Sequence, residues 1–271
     1  MKIALTIAGF DPSSGAGVTA DIMVFAAHGF FGTSAVTSLT IQSTTGVRGS
    51  HPVTSKALEE TLDCLQSDLP PAGVKIGMLA TAEIVETVSL YLETLRRLSR
   101  YTPVVLDPVL RSSSGRELLS VGGLPLLRSR LLPLVDWVTP NLAELSLLAG
   151  LPVENRDQVE PAASSLRSSF PHLNILATGG HLDQPDDLLL TADGSFWISG
   201  KRVESTSNHG TGCALSSALL SRLLLGDAPL NAATAAKHYV TEAIRRASPL
   251  GQGHGPLNHL WPLRLPGSRA S

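Results

Sequence analysis

Short apolar runs alternating with longer segments of helical period constrain this chain more than any other feature. Lys2–Ala8, Thr33–Ile41, Gly73–Ile76, Pro103–Leu106, Asp136–Thr139 and Asn174–Ala177 read as strands. Between them Gly15–Gly29, Ser55–Ser67, Thr81–Leu98, Asn141–Ala149 and Gln158–Ser169 read as helices. In the first helix, Val18, Ile22, Phe25 and Ala26 recur on one face. Strands joined through helices run parallel, and the helices must cover both faces of the sheet. The expected fold class is therefore α/β, a three-layer α/β/α sandwich around a mainly parallel sheet. Leu188–Thr191 and Ser195–Ile198 flank Ala192-Asp193-Gly194, a hairpin pattern that adds an antiparallel edge. The helices Thr211–Leu225 and Asn231–Arg246 follow.

At 271 residues and 43% hydrophobic content the chain suits one large domain, expected over residues 1–261. Residues 262–271 are basic and polar and read as a loose tail. The net charge of −2 offers no electrostatic reason for a nucleic-acid or anionic-membrane partner. No apolar run approaches the ~18 residues of a membrane span. The short apolar run at Ile3–Ala8 leads into Asp11-Pro12 without the cleavage pattern of a signal peptide. Cys64 and Cys213 make neither a metal-ligand spacing nor a disulfide framework, which fits a reducing cytoplasm.

Ligands of such sheets collect beyond the carboxyl ends of the strands. The strand assignment places Gly9–Gly17, Gln42–Gly46, Gly77-Met78, Asp107–Gly115, Thr139–Glu144, Thr178–His181 and His209–Cys213 there, as the walls of one pocket. The last segment runs Gly210-Thr211-Gly212-Cys213 straight into a small-residue apolar helix. Unpaired N–H groups and partial positive charge at a helix start make a cradle for phosphate. Cys213 occupies that start, where a thiol pKa is expected to fall. The same residues also suit a plain loop-to-helix junction with a small buried cysteine.

The string Leu5-Thr6-Ile7-Ala8-Gly9-Phe10-Asp11-Pro12-Ser13-Ser14-Gly15-Ala16-Gly17-Val18-Thr19-Ala20-Asp21 resembles the opening of the hydroxymethylpyrimidine and phosphomethylpyrimidine kinases. These belong to the ribokinase-like superfamily and act in thiamine biosynthesis. The likeness continues through Gln42–Val47, Lys75–Leu79, Leu106–Val109, Thr139–Glu144, Gly179–His181, His209–Cys213 and Gly251–His259. It implies a ribokinase-like fold and ATP-dependent phosphorylation of 4-amino-5-hydroxymethyl-2-methylpyrimidine, then of its monophosphate. ATP and Mg²⁺ are the implied cofactors, and a homodimer is a common assembly among such proteins.

Carried onto this chain, the resemblance makes Cys213 the proton acceptor and the Gly210 and Gly212 backbone the anion hole. Gln42 would read the pyrimidine, with Asp21, Ala16, Met78 and Val109 around the ring. Asn141, Thr178, Gly180 and Thr211 would face the nucleotide, and Glu144 with Asp107 would act on Mg²⁺ through water. Each has an ordinary alternative: Asn141 and Glu144, three apart, also suit a helix cap, and Lys75 a structural ion pair. The chain departs from the pattern at Thr178, where many relatives carry Lys, and at Ser207-Asn208-His209, Phe10 and Ser14. Pyridoxal kinase on the same scaffold and a non-catalytic pyrimidine-binding regulator remain the competing readings.

Overall fold

The computed structural model describes residues 1–99, 101–111, 115–180 and 182–263. Its elements run β1 (Ile3–Phe10), α1 (Gly17–Ala27), β2 (Phe31–Ser43), β3 (Gly46–Pro52), α2 (Ser55–Asp68), β4 (Gly73–Ile76), α3 (Ala82–Leu98) and β5 (Val104–Leu106). They continue with α4 (Gly123–Leu126), β6 (Trp137–Val138), α5 (Leu142–Ala149), α6 (Arg156–Ser169), β7 (Asn174–Ala177), β8 (Asp187–Thr191), β9 (Gly194–Ile198), α7 (Thr211–Leu224) and α8 (Pro229–Arg245). The expected tail lies almost wholly outside the described residues.

Among these, nine strands form one sheet in the order β3-β2-β1-β4-β5-β6-β7-β8-β9. β2, β1, β4, β5, β6 and β7 are parallel. The β8–β9 hairpin extends one edge in antiparallel fashion, as its Asp-Gly turn predicts. Strands buried on both faces feed side chains to two cores by the period-2 rule. In β5, Val104 and Leu106 join the core of α2, α3, α5 and α6, while Val105 joins that of α1, α7 and α8. Ile175 and Leu176 of β7 divide in the same way.

Two elements escaped the sequence. β3 reads Gly-Val-Arg-Gly-Ser-His-Pro, without the apolar alternation that marks a half-buried strand. It exists because β2 offers a free edge on the side away from β1, where Ser38–Ser43 pair with β3. Residues Gly123–Leu134 form α4 followed by a π turn and a 3-10 turn, packed against the core by Leu127, Leu131 and Leu132.

β1 is the point where the strand order reverses, with β2 on one side and β4 on the other. Loops leaving β1 and β4 there open a crevice at the carboxyl edge. Asp11, Gly77, Asp107, Thr139 and Thr178 each stand within one residue of the end of β1, β4, β5, β6 or β7. These positions share the carboxyl edge of the sheet, as the strand assignment predicts.

Candidate active site

Gly210 makes the junction at the head of α7. Its φ is +86°, and a Cβ there would collide with the Gly15 carbonyl, so the loops before α1 and α7 press backbone to backbone. Only glycine permits both the conformation and the approach. The first bond of α7 runs from the Ala214 N–H to the Gly210 carbonyl at 2.9 Å. The N–H groups of Thr211, Gly212 and Cys213 therefore precede the helix's own ladder, and Gly212 is exposed to the crevice. A Cβ on Gly212 would stand 3.7 Å from Asp107 Oδ2, which is ordinary contact. Gly212 thus leaves open space between the helix end and that carboxylate.

Asp107 follows β5, is 5% exposed, and accepts hydrogen bonds from the Cys213 thiol and from Ser216 Oγ. Burial pushes its carboxyl up to about 6, with Asp21 adding to the rise against Lys75, Ser216 and Cys213. The expectation for Cys213 is overturned here. Burial pushes its thiol up to about 12, and the Asp107 and Asp21 charges reinforce this. Lys75 and the Gly17 N–H pull the other way without prevailing. The helix start favours a thiolate, but two carboxylates in a desolvated setting outweigh it. Cys213 is a hydrogen-bond donor in the resting protein.

Asp21 also differs from its expected place. It is fully buried beneath the crevice rather than lining it. Its carboxylate accepts from Thr6 Oγ1 at 2.6 Å, Ser217 Oγ at 2.8 Å and Lys75 Nζ at 3.0 and 2.9 Å. Four contacts join β1, α1, β4 and α7 at one point. Lys75, suspected as an ion-pair partner, fills that role. Burial would lower its pKa, but Asp21, Cys213 and Asp107 together hold it above the usual lysine value.

On the other flank Asn141 and Glu144 form a reciprocal cap on α5. Glu144 N–H donates to Asn141 Oδ1 at 3.0 Å, and Asn141 N–H donates to Glu144 Oε2 at 2.9 Å. The helix-cap reading is thus true of both residues, and Glu144 still feels Asp107. Burial and then Asp107 push its carboxyl up to about 8, against hydrogen bonds from Asn141 and Leu110. A buried carboxyl whose proton affinity is raised by a second acid nearby suits a cation between them. Among the described residues no three of His, Cys, Asp and Glu converge as a bare metal cage. Two such carboxyls suit a hydrated cation that keeps most of its waters.

A stability profile follows from Glu144. A carboxyl whose folded pKa is raised binds its proton more tightly folded than unfolded, so stability falls as pH rises from about 4.5 to about 8. With EDTA present, the melting temperature of Glu144→Gln should decline less over that window than that of the wild type. Glutamine can still accept the capping bond, so the difference reports charge. Superimposable curves would reduce Glu144 to a cap.

Thr178 N–H donates to the Pro140 carbonyl at 2.8 Å, bringing this loop beside Asn141. Gly180 is exposed with open space around it, whereas a Cβ on Gly179 would strike the Asp186 carbonyl. The glycine required by packing is thus Gly179. Arg202, exposed and unremarked in the sequence, donates to the Leu182 carbonyl at 2.7 Å and lends this loop a cation.

Towards β1, Ala16 caps α1 and donates its N–H to Asp11 Oδ2 at 3.0 Å. Met78 is buried against Gly9 and accepts from Thr37 Oγ1 at 2.6 Å; Val109 is half-buried beyond Asp107. Gln42 stands where the β2–β3 register shifts between Ile41 and Gln42. A bulge re-aims the side chain it carries. Gln42 meets His209, and His209 meets Asp11. Neither Asp11 nor His209 carries a local sign of this contact, because 198 positions separate them.

A family model for phosphomethylpyrimidine kinase matches residues 11–258. The hydroxymethylpyrimidine/phosphomethylpyrimidine kinase of Haemophilus influenzae is 38% identical over 96% of this chain and 97% of its own. The thiamine biosynthesis bifunctional protein ThiED of Geobacter sulfurreducens is 39% identical over 94% of this chain, which spans about half (52%) of that relative. The crystal structure of phosphomethylpyrimidine kinase from Clostridium difficile superposes with a TM-score of 0.77 at 32% identity, covering 90% of this chain and 100% of the other. Pyridoxal kinase from Staphylococcus aureus in complex with AMP-PCP and pyridoxal gives 0.84 at 28% identity, over 96% and 94%. A match that runs from the β1 loop past the α7 helix start takes in every wall of the crevice. This chain belongs to the phosphomethylpyrimidine kinase family.

Proposed function

We propose that this protein phosphorylates 4-amino-5-hydroxymethyl-2-methylpyrimidine, and then its monophosphate, using ATP and Mg²⁺. One observation carries the reading: the free N–H groups heading α7 stand beside the Asp107–Cys213 pair, and Gln42 meets His209, which directly precedes that helix start. Phosphoryl transfer needs positioning and charge stabilisation more than covalent help. The Thr211, Gly212 and Cys213 N–H groups are donors for the moving phosphoryl group. The hydroxyl proton goes to the thiol–carboxylate pair, Cys213 passing its own proton to Asp107 as it accepts the new one. Glu144 and Asp107 would hold the water shell of Mg²⁺, which supplies neutralising charge at the phosphates.

The test is ADP formation with Mg·ATP and three alcohols: the pyrimidine, its monophosphate and pyridoxal. Turnover of the first two above pyridoxal supports the reading. Faster turnover of pyridoxal would transfer it to the vitamin B6 substrate, and no ADP with any would leave a binding protein. Within this reading, Gln42→Ala should raise the pyrimidine KM by about 5–100-fold, from ~1–3 kcal/mol of lost pairing, and leave the ATP KM alone. Equal weakening of both substrates would make Gln42 a structural residue.

A further inference from the structure

Two contacts meet at one nitrogen: Gln42 Nε2 lies 2.9 Å from His209 Nε2, and Asp11 Oδ2 lies 2.8 Å from the same atom. An imidazole nitrogen donates or accepts, but not both at once. Asp11 can only accept, because it is held as a carboxylate. Burial works to raise its pKa, yet hydrogen bonds from His209 and Ser13 outweigh this and keep it below the usual range. Asp11 is also anchored by the Ser13 N–H at 2.9 Å, the Ser13 hydroxyl at 2.7 Å and the Ala16 N–H at 3.0 Å. Nε2 of His209 therefore carries the hydrogen, and an N–H of Gln42 cannot be its partner.

The accounting closes with the Gln42 amide turned by half a rotation. Its oxygen then shares the single Nε2–H of His209 with Asp11 in a three-centre bond. Its nitrogen donates to Thr40 Oγ1, 3.2 Å from the other amide atom. The Thr40 hydroxyl passes its own proton to the Phe10 carbonyl at 2.9 Å. Amide orientation is assigned from partners in this way, since oxygen and nitrogen have the same shape. One carbonyl lone pair and one N–H are thereby used. What remains to the amide is one N–H and one carbonyl lone pair, in a fixed order.

We propose that His209, locked by Asp11, is a positioning residue that sets the polarity of Gln42 and so the orientation of the bound ring. The matching ligand edge is –N=C–NH2, with its ring nitrogen on the Thr40 side and its amine on the His209 side. A heterocycle held in that sense has one fixed direction for its hydroxymethyl arm. The imidazole can do this because it is wedged: Gly15 leaves it room that a Cβ would close, and the His209 backbone N–H is tied to the Gly255 carbonyl at 3.1 Å. This inference rests on Gln42 reading the pyrimidine.

The test is steady-state kinetics of Gln42→Ala, and of His209→Ala, His209→Gln and Thr40→Val, each alone and combined with Gln42→Ala. His209→Ala should raise the pyrimidine KM about tenfold with the ATP KM within about twofold. In the Gln42→Ala background the same change should move the pyrimidine KM by less than about twofold, since the residue acts through that amide. His209→Gln, which restores an N–H towards Asp11, should recover to within about threefold of wild type. Should His209→Ala not fold, Thr40→Val must give its own rise of about threefold, again only with Gln42 present. Equal effects in both backgrounds, a parallel rise in the ATP KM, or no rescue by glutamine would overturn the proposal. Gln42→Ala with an unchanged pyrimidine KM would instead refute the reading of Gln42 beneath it.

Discussion

Lys75→Met is expected to destabilise the protein by about 3–5 kcal/mol, because it leaves a buried carboxylate without its counter-charge. Lys75 and Asp21 are both fully buried and meet at 2.9 Å. Methionine fills a similar volume, so little of the loss comes from a cavity. In a chain of this size the melting temperature should drop by roughly 6–20 °C. Adding Asp21→Leu should recover part of it, since replacing both members of a buried pair is often near neutral. Recovery will be incomplete: Thr6 and Ser217 would lose their acceptor. A calorimetric loss below about 1 kcal/mol for the single variant would mean that the pair is not structural.

The second large effect concerns turnover. With its thiol near pKa 12, Cys213 is almost wholly protonated at neutral pH. A useful proton acceptor has a pKa close to the working pH, and Asp107, near 6, meets that condition. Asp107→Asn should therefore lower kcat by about 10²–10⁴-fold. In the wild type kcat/KM should rise with pH through about 6 as the carboxylate forms, and this limb should vanish in the variant. Cys213→Ser keeps a proton that can pass to Asp107, so its kcat should stay within about tenfold of wild type. Iodoacetamide should label Cys213 slowly at pH 7, because the thiolate is the reacting form. Rapid labelling, with Cys213→Ser as damaging as Asp107→Asn, would return the role of base to sulfur.

Much of this molecule is legible in its sequence. Periodicity is local, so Val104-Val105-Leu106 and the 81–98 helix declared themselves, and alternating elements implied the parallel sheet. Asn141 and Glu144 were legible for the same reason: a cap is settled within four residues. Gly210 was legible because a positive φ is a property of one residue. The loops gathered at the carboxyl edge were legible through a topological rule that needs only strand ends.

What the chain concealed lies between residues distant in sequence. β3 has no apolar pattern of its own and exists through its pairing with the end of β2. Asp21 looked like a pocket carboxylate until Lys75, 54 positions away, claimed both its oxygens. The Gln42 amide took its setting from His209, 167 positions on. Cys213 is the sharpest case. Its helix start is encoded locally and favours a thiolate, but Asp107 and desolvation come from the fold, and their sum has the opposite sign. Backbone conformation and periodic burial are short-range and were determined by the sequence alone. Proton affinity and hydrogen-bond polarity depend on charges and dielectric around a point in space, and only the tertiary structure decided them.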